Sequence, residues 1–183
     1  APGERGGVPG GAGAGGGGRD LAPGDLVERA PGRARDRVEA LRDNTDGRNH
    51  AEIRAAVQES MTDNVNVFRE EGKLKAALED IRAAREAYAD VGVADRSRTF
   101  NTDLIHTIET RNVIDLAEAI TLGALAREEF RGAHWREGFQ ERDDESWLKH
   151  TMLSWNAGSP EIWYRPVLLE GEDKRYEPKI RSY

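Results

Sequence analysis

Asn101-Thr102-Asp103-Leu104-Ile105-His106-Thr107-Ile108-Glu109-Thr110 opens a run that continues through Arg111-Asn112-Val113-Ile114-Asp115-Leu116-Ala117-Glu118-Ala119-Ile120 as far as Phe130. Its apolar residues recur at helical spacing and no proline interrupts them, so the run predicts one long helix over 101–130. Asn101 or Thr102 can cap it, Asp103 suits the positive end of its dipole, and Gly132 lies just past its end. At 1.5 Å per residue such a helix reaches about 45 Å. Leu104, Ile105, Ile108, Leu116, Ile120, Ala124 and Leu125 are its expected buried side. Arg111-Asn112 interrupts that side and Gly123 weakens the helix, so a kink or a specific polar contact is expected there.

Two shorter helices precede it. Ile53, Val57, Met61, Val65 and Phe68 form a stripe at steps of four and three, predicting a helix from Asn49 to Glu71. Asn49 and Glu52 are spaced as a capping box, and Gly72 is read as the stop. Leu74, Leu78, Ile81 and Tyr88 mark the next helix over Lys73–Asp90, and so short a joint favours an antiparallel pair. The expected fold is therefore mainly α. It is a three-helix bundle of antiparallel helices, followed by a β-hairpin and an extended C-terminal tail, with a disordered Gly-rich N-terminal segment. The hairpin is read from Trp147–Trp155 and Ile162–Leu169, separated by the turn-forming Asn156-Ala157-Gly158-Ser159-Pro160, with Pro166 marking an edge strand. Lys174–Tyr183 is too polar to fold unaided.

Residues 1–32 hold twelve of the 20 glycines and four of the 7 prolines, and residues 1–47 are read as a flexible linker, with at most a helical turn or two over Arg33–Arg42. Gly11, Gly13 and Gly16 formally match a dinucleotide fingerprint. No strand leads into them and no helix follows, so they are read as low-complexity sequence. Residues 48–183 form the expected domain. The chain begins at Ala1 without a basic-then-apolar leader, which suggests a piece of a longer polypeptide or a processed product.

Composition narrows the function classes. The net charge of −7 argues against a nucleic-acid binder, and no apolar run is long enough for a membrane-spanning helix. With 0 cysteines the chain has no thiol catalysis, no Cys-ligated zinc and no bound iron–sulfur cluster of its own. His50, His106, His134 and His150 have no ligand spacing among them. Glu118 and Arg111, set in an apolar helix, call for partial exposure or mutual satisfaction between helices. No catalytic, cofactor-binding or metal-ligating residue is assigned.

The run Arg127-Glu128-Glu129-Phe130-Arg131-Gly132-Ala133-His134-Trp135-Arg136 carries the functional reading. It is a helix end followed by a loop rich in Arg, His and Trp. Arg pairs with carboxylate or phosphate in bidentate fashion, and Trp and Arg recur at interface centres. On residue chemistry alone a solvated charged loop serves equally well.

Ordered matches then extend beyond this loop. Phe100-Asn101-Thr102-Asp103-Leu104, Glu109 with Asn112, Ala117-Glu118, Arg131-Gly132-Ala133-His134-Trp135-Arg136, Arg142-Asp143-Asp144, Trp147-Leu148-Lys149-His150-Thr151 and Glu177–Tyr183 follow one another in a single order. Together they resemble the C-terminal region of the succinate dehydrogenase and fumarate reductase flavoprotein subunit. Phe130, and Glu137 to Gln140, depart from that pattern. The resemblance implies a subunit that carries FAD upstream, interconverts succinate and fumarate by hydride transfer, and passes electrons to an iron–sulfur subunit. This chain, lacking the flavin-binding parts, is expected to buttress the flavin-binding domain and dock the iron–sulfur subunit. Arg131, Gly132, His134, Trp135 and Arg136 are then interface groups. The implied location is cytoplasmic, held peripherally on the inner face of the cell membrane through partner subunits. L-Aspartate oxidase is similar over the helical part, and an independent helical adaptor is the alternative of another class.

Overall fold

The computed structural model describes residues 23–156 and 159–169. The glycine tract with Gly11, Gly13 and Gly16, the tip of the hairpin turn and the tail over 174–183 lie outside the described residues. Residues 1–40 and 41–183 form two units. α1 spans Pro23–Asp43. The helical turn or two expected over Arg33–Arg42 lies within this longer helix. Pro23 stands at the first helical position, where its missing N–H costs nothing.

Three helices build the core of the second unit: α2 (His50–Asn64), α3 (Glu71–Tyr88) and α4 (Thr102–Ala126). Each packs on the other two. The expected bundle is present, with three boundaries moved. Asn49 caps α2, its side chain accepting from the Ala51 N–H at 2.8 Å. The helix stops at Asn64 rather than Glu71, because Asn64, Val65, Asn66 and Val67 are weak helix formers and the next two residues are drawn into a strand. Gly72, read as the stop, is the second residue of α3. α4 ends at Ala126, where Arg127 turns extended. It is unbroken through Arg111-Asn112 and Gly123.

The buried face of α4 also differs from the apolar reading. Thr107, Thr110, Ile114, Ala117, Glu118, Thr121 and Ala124 are buried, while Ile105, Leu116 and Ile120 are 53%, 63% and 50% exposed. Three threonines satisfy their own hydroxyls. Thr107, Thr110 and Thr121 donate to the carbonyls of Asp103, His106 and Ala117, each at 2.8 Å. A back-bonded threonine has no hydroxyl to lose on burial, and its small bulk lets helices approach closely. Leu74, Ala77, Ile81 and Val57 fill the facing surfaces of α3 and α2.

Short parallel ladders tie the bundle ends. β1 (Arg48–Asn49) pairs with β3 (Val91–Gly92), and β2 (Phe68–Arg69) pairs with β4 (Trp135–Arg136). At the first ladder the two backbones nearly touch: a Cβ on Gly47 would stand 2.4 Å from the Asp90 carbonyl oxygen and 2.6 Å from the Gly92 nitrogen. Only glycine fits there. α5 (Asp144–Trp147) is a single turn capped by Asp143, which accepts from the Ser146 N–H at 2.9 Å. It removes Trp147 from the strand in which the sequence placed it. The hairpin proper is β5 (Lys149–Asn156) with β6 (Ser159–Pro166), in register from Asn156 opposite Ser159 to Lys149 opposite Pro166. Alone it would be marginal, and it leans on α4. Pro166 sits at the last strand position, where its missing donor breaks no ladder.

Candidate functional site

The segment from Arg127 to Asp144 leaves α4, makes a tight turn and returns beneath the hairpin. Its centre is Glu129, fully buried. One carboxylate oxygen takes the Nε of Arg131 at 2.7 Å and an Nη1 proton of Arg127; the other takes Arg131 Nη2 at 2.9 Å and the Asp143 N–H at 3.1 Å. The chain bends at Glu129, with Arg127 and Arg131 two residues to either side turned onto its carboxylate. Arg127 reaches further, donating to the carbonyls of Trp147 at 3.1 Å and Lys149 at 2.7 Å and to the Thr151 hydroxyl at 3.1 Å. Its guanidinium also lies 5.2 Å from the Trp147 ring centre. One carboxylate thus ties the end of α4 to the hairpin. At the rim Asp144 pairs with Arg131 and Arg142, and the two guanidiniums hold its carboxyl down to about 2.

Gly132 makes the turn. Its φ of +59° lies in the left-handed region, and Arg131 and His134 exchange both backbone hydrogen bonds across it. His134 is then fixed on both ring nitrogens. Nε2 lies 3.0 Å from the Arg127 carbonyl and Nδ1 lies 2.6 Å from Arg69 Nη1. A guanidinium can only donate, so Nδ1 accepts and Nε2 carries the proton: the ring is held neutral. Burial, with the charges of Arg69, Arg127 and Arg136, pushes its pKa below the ordinary histidine value. The unfolded chain therefore takes up this proton first as pH falls. His134 contributes stability that is complete above about pH 6.5 and is lost as the solution becomes more acidic. Thermal unfolding followed by circular dichroism between pH 7.5 and 5.5 is expected to show a falling midpoint, and His134→Gln to flatten that slope.

Arg136 is 2% exposed. It donates to the carbonyls of Leu125 and Arg127 at the C-terminus of α4, reaches Glu71 at 3.4 Å, and lies over the Phe139 ring. Trp135 is half-buried, edge-on to Phe68 at 5.4 Å, and Phe68 itself is 69% exposed. The five residues singled out from sequence thus share one turn, but unequally. Arg136 and His134 are turned to the chain's own carbonyls and Arg69, Arg131 grips Glu129, and Gly132 and Trp135 face outward. Glu129, Arg127 and Arg69 were missed as site residues. The Arg-x-Glu-x-Arg alternation was the available signal for the first two.

Exposed large apolar side chains lie elsewhere as well, Ile105, Leu116 and Ile120 on α4 and Trp155, Trp163 and Tyr164 on the hairpin. The parallel pairings are two residues long, and β1 runs directly into α2. None of the described helices is long and apolar enough to cross a membrane.

The family model "Fumarate reductase flavoprotein C-term" matches residues 54–183. The mitochondrial succinate dehydrogenase [ubiquinone] flavoprotein subunit of Oryza sativa is 41% identical over 136 residues, covering 73% of this chain and 22% of the relative. A Mycobacterium tuberculosis fumarate reductase flavoprotein subunit is 38% identical over 159 residues, covering 82% of this chain and 27% of the relative. Among solved structures, a quinol fumarate reductase chain of E. coli superposes with a TM-score of 0.74 at 30% identity, covering 86% of this chain and 28% of that one. The chain spans about a quarter of the length of the curated relatives it matches.

Proposed function

The chain belongs to the fumarate reductase and succinate dehydrogenase flavoprotein C-terminal family, and from that premise we propose that it braces the FAD-binding portion of such a subunit and docks its iron–sulfur partner. The reaction served is the interconversion of succinate and fumarate, with hydride transfer at an FAD held outside the described residues. None of the described residues is assigned a step in it. The assembly sits peripherally at the cytoplasmic face of the membrane through its other subunits.

One observation carries this reading: α4 buries threonines and alanines and presents Ile105, Leu116 and Ile120 outward. A helix with apolar side chains on its outer face has a second partner to cover them. That partner is the flavin-binding portion. The turn of Arg131, Gly132, His134, Trp135 and Arg136, with Phe68 beside Trp135, is the face offered to the iron–sulfur subunit. Here Trp135 and Gly132 make contact, while His134 and Arg136 hold the turn in shape.

The test is made on the complex purified through a tag on the full chain in its source cells. Bound FAD and succinate-dependent dye reduction are expected in the purified material. Leu116→Glu combined with Ile120→Glu is expected to lower both by about tenfold or more, since burying two carboxylates against an apolar partner is strongly disfavoured. The thermal midpoint of the free chain should move little, because both side chains are solvated there. A complex without FAD overturns the reading.

A further inference from the structure

Phe100 is 95% exposed and holds a φ of +55°, the one non-glycine residue with positive φ among the described residues. Both properties are unfavourable for a bulky aromatic: the left-handed region crowds its Cβ, and its ring gains nothing from water. The surrounding loop holds it there. Asn101 donates through Nδ2 to the carbonyls of Asp95 at 2.6 Å and Ser97 at 3.1 Å, and its Oδ1 accepts from the Leu104 N–H at 2.8 Å. Asp103 accepts from the N–H groups of Ala94 at 2.7 Å and Asp95 at 3.1 Å. Asp95 accepts from the Ser97 N–H at 2.8 Å. The base of the loop is bonded throughout, and its end carries an aromatic ring into solvent, a few residues past two exposed arginines, Arg96 and Arg98.

A strained backbone kept by a rigid scaffold, presenting an exposed aromatic in a loop that also carries exposed Arg, is the arrangement of a preorganised interface anchor. We propose that Phe100 is the anchor by which this domain engages the flavin-binding portion of the subunit, inserting into an apolar pocket rimmed by acidic side chains. The inference rests on the function proposed above and names the residue at which that contact is made.

Chain order favours this occupant over others. The matched family segment is C-terminal, so in the relatives most of the polypeptide lies ahead of it and enters the bundle through the equivalents of residues 41–50. That entry runs beside the Phe100 loop. Val93 N–H donates to the Asn44 carbonyl at 2.9 Å, Asn44 Nδ2 to the Val91 carbonyl at 3.0 Å, and Arg42 Nη2 to the Arg96 carbonyl at 3.4 Å. Whatever precedes the bundle on the same polypeptide is tethered next to this tip at high effective concentration. Ile105, one turn into α4, and Leu116 are exposed apolar side chains on the helix that follows the tip.

The experiment uses the tagged full chain in its source cells, with Phe100→p-benzoylphenylalanine as a photo-crosslinker. Irradiation of the purified complex, followed by mass spectrometry of the cross-linked peptides, is expected to join residue 100 to the flavin-binding portion of the subunit. Cross-links to the iron–sulfur subunit or to a second copy of this chain, or none at all, overturn the proposal. A second variant separates docking from folding. Phe100→Gly relieves the positive φ, so the free chain's thermal midpoint is expected to hold or rise, while copurified FAD falls about tenfold or more. Undiminished FAD with Phe100→Gly overturns the anchor and leaves the function standing. Absence of FAD from the unsubstituted complex overturns both.

Discussion

Glu129→Gln is expected to destabilise residues 41–183 by about 3 kcal/mol, read as a shift in the urea midpoint at constant slope and as a thermal midpoint lowered on the order of 10 °C. The magnitude follows from what is left behind. Glu129 is fully buried and neutralises Arg127 and Arg131, whose side chains are 14% and 28% exposed. A glutamine keeps the shape but turns an NH2 group toward a guanidinium, so one buried contact becomes donor against donor. Arg131 can relax toward Asp144 at the rim, which keeps the estimate at the lower end for a broken buried pair. Arg127 cannot, because it is bonded to the carbonyls of Trp147 and Lys149 and to Thr151. The damage should therefore reach the hairpin, with loss of near-ultraviolet circular dichroism from Trp147 before the helical signal declines. A loss below about 1 kcal/mol would show that the arginines are solvated rather than held by this carboxylate.

The sequence made the three helices legible because each has apolar residues three and four apart; the Asn49 cap follows from side-chain chemistry alone, and the structure chooses Asn101 over Thr102 at the start of α4. The face that α4 buries was not legible in the same way. Its apolar residues occur on more than one side, and the pattern cannot tell a stripe that meets α2 and α3 from one that meets another body. Thr107, Thr110 and Thr121 read as polar, yet their bonds to the preceding turn make them suitable for the core. The end of α2 was hidden for another reason. Phe68 and Arg69 pair with Trp135 and Arg136, far along the chain, and a long-range ladder leaves no local mark. The site was half visible: the Arg-Gly-Ala-His turn stood out, whereas the carboxylate that organises it looked like one acidic residue among many.

Arg85→Leu is expected to cost about 2–3 kcal/mol, and Arg85→Leu with Glu118→Leu to recover most of that loss. Glu118 is 3% exposed on the buried side of α4, and Arg85 of α3 donates to it at 2.7 Å and to Asp115 at 2.6 Å. Without Arg85 the nearest cation is Arg82 Nε, 3.8 Å away on a side chain that is 58% exposed, too solvated to compensate a buried carboxylate. Removing both charges leaves an apolar contact between two helices already lined with alanine and isoleucine, which is close to neutral. Arg85 also lies 4.9 Å from the Trp155 ring centre, so the same guanidinium joins α3, α4 and β5. The double variant should thus regain helical stability without regaining the hairpin's fixed position. Urea unfolding of the four proteins in the cycle measures the first effect, and near-ultraviolet dichroism measures the second. If the two single losses simply add, the helices are joined by packing and the ion pair sets nothing. If they couple by about 2 kcal/mol while the Trp155 environment stays altered, Arg85 is what fixes the hairpin beside the exposed face of α4.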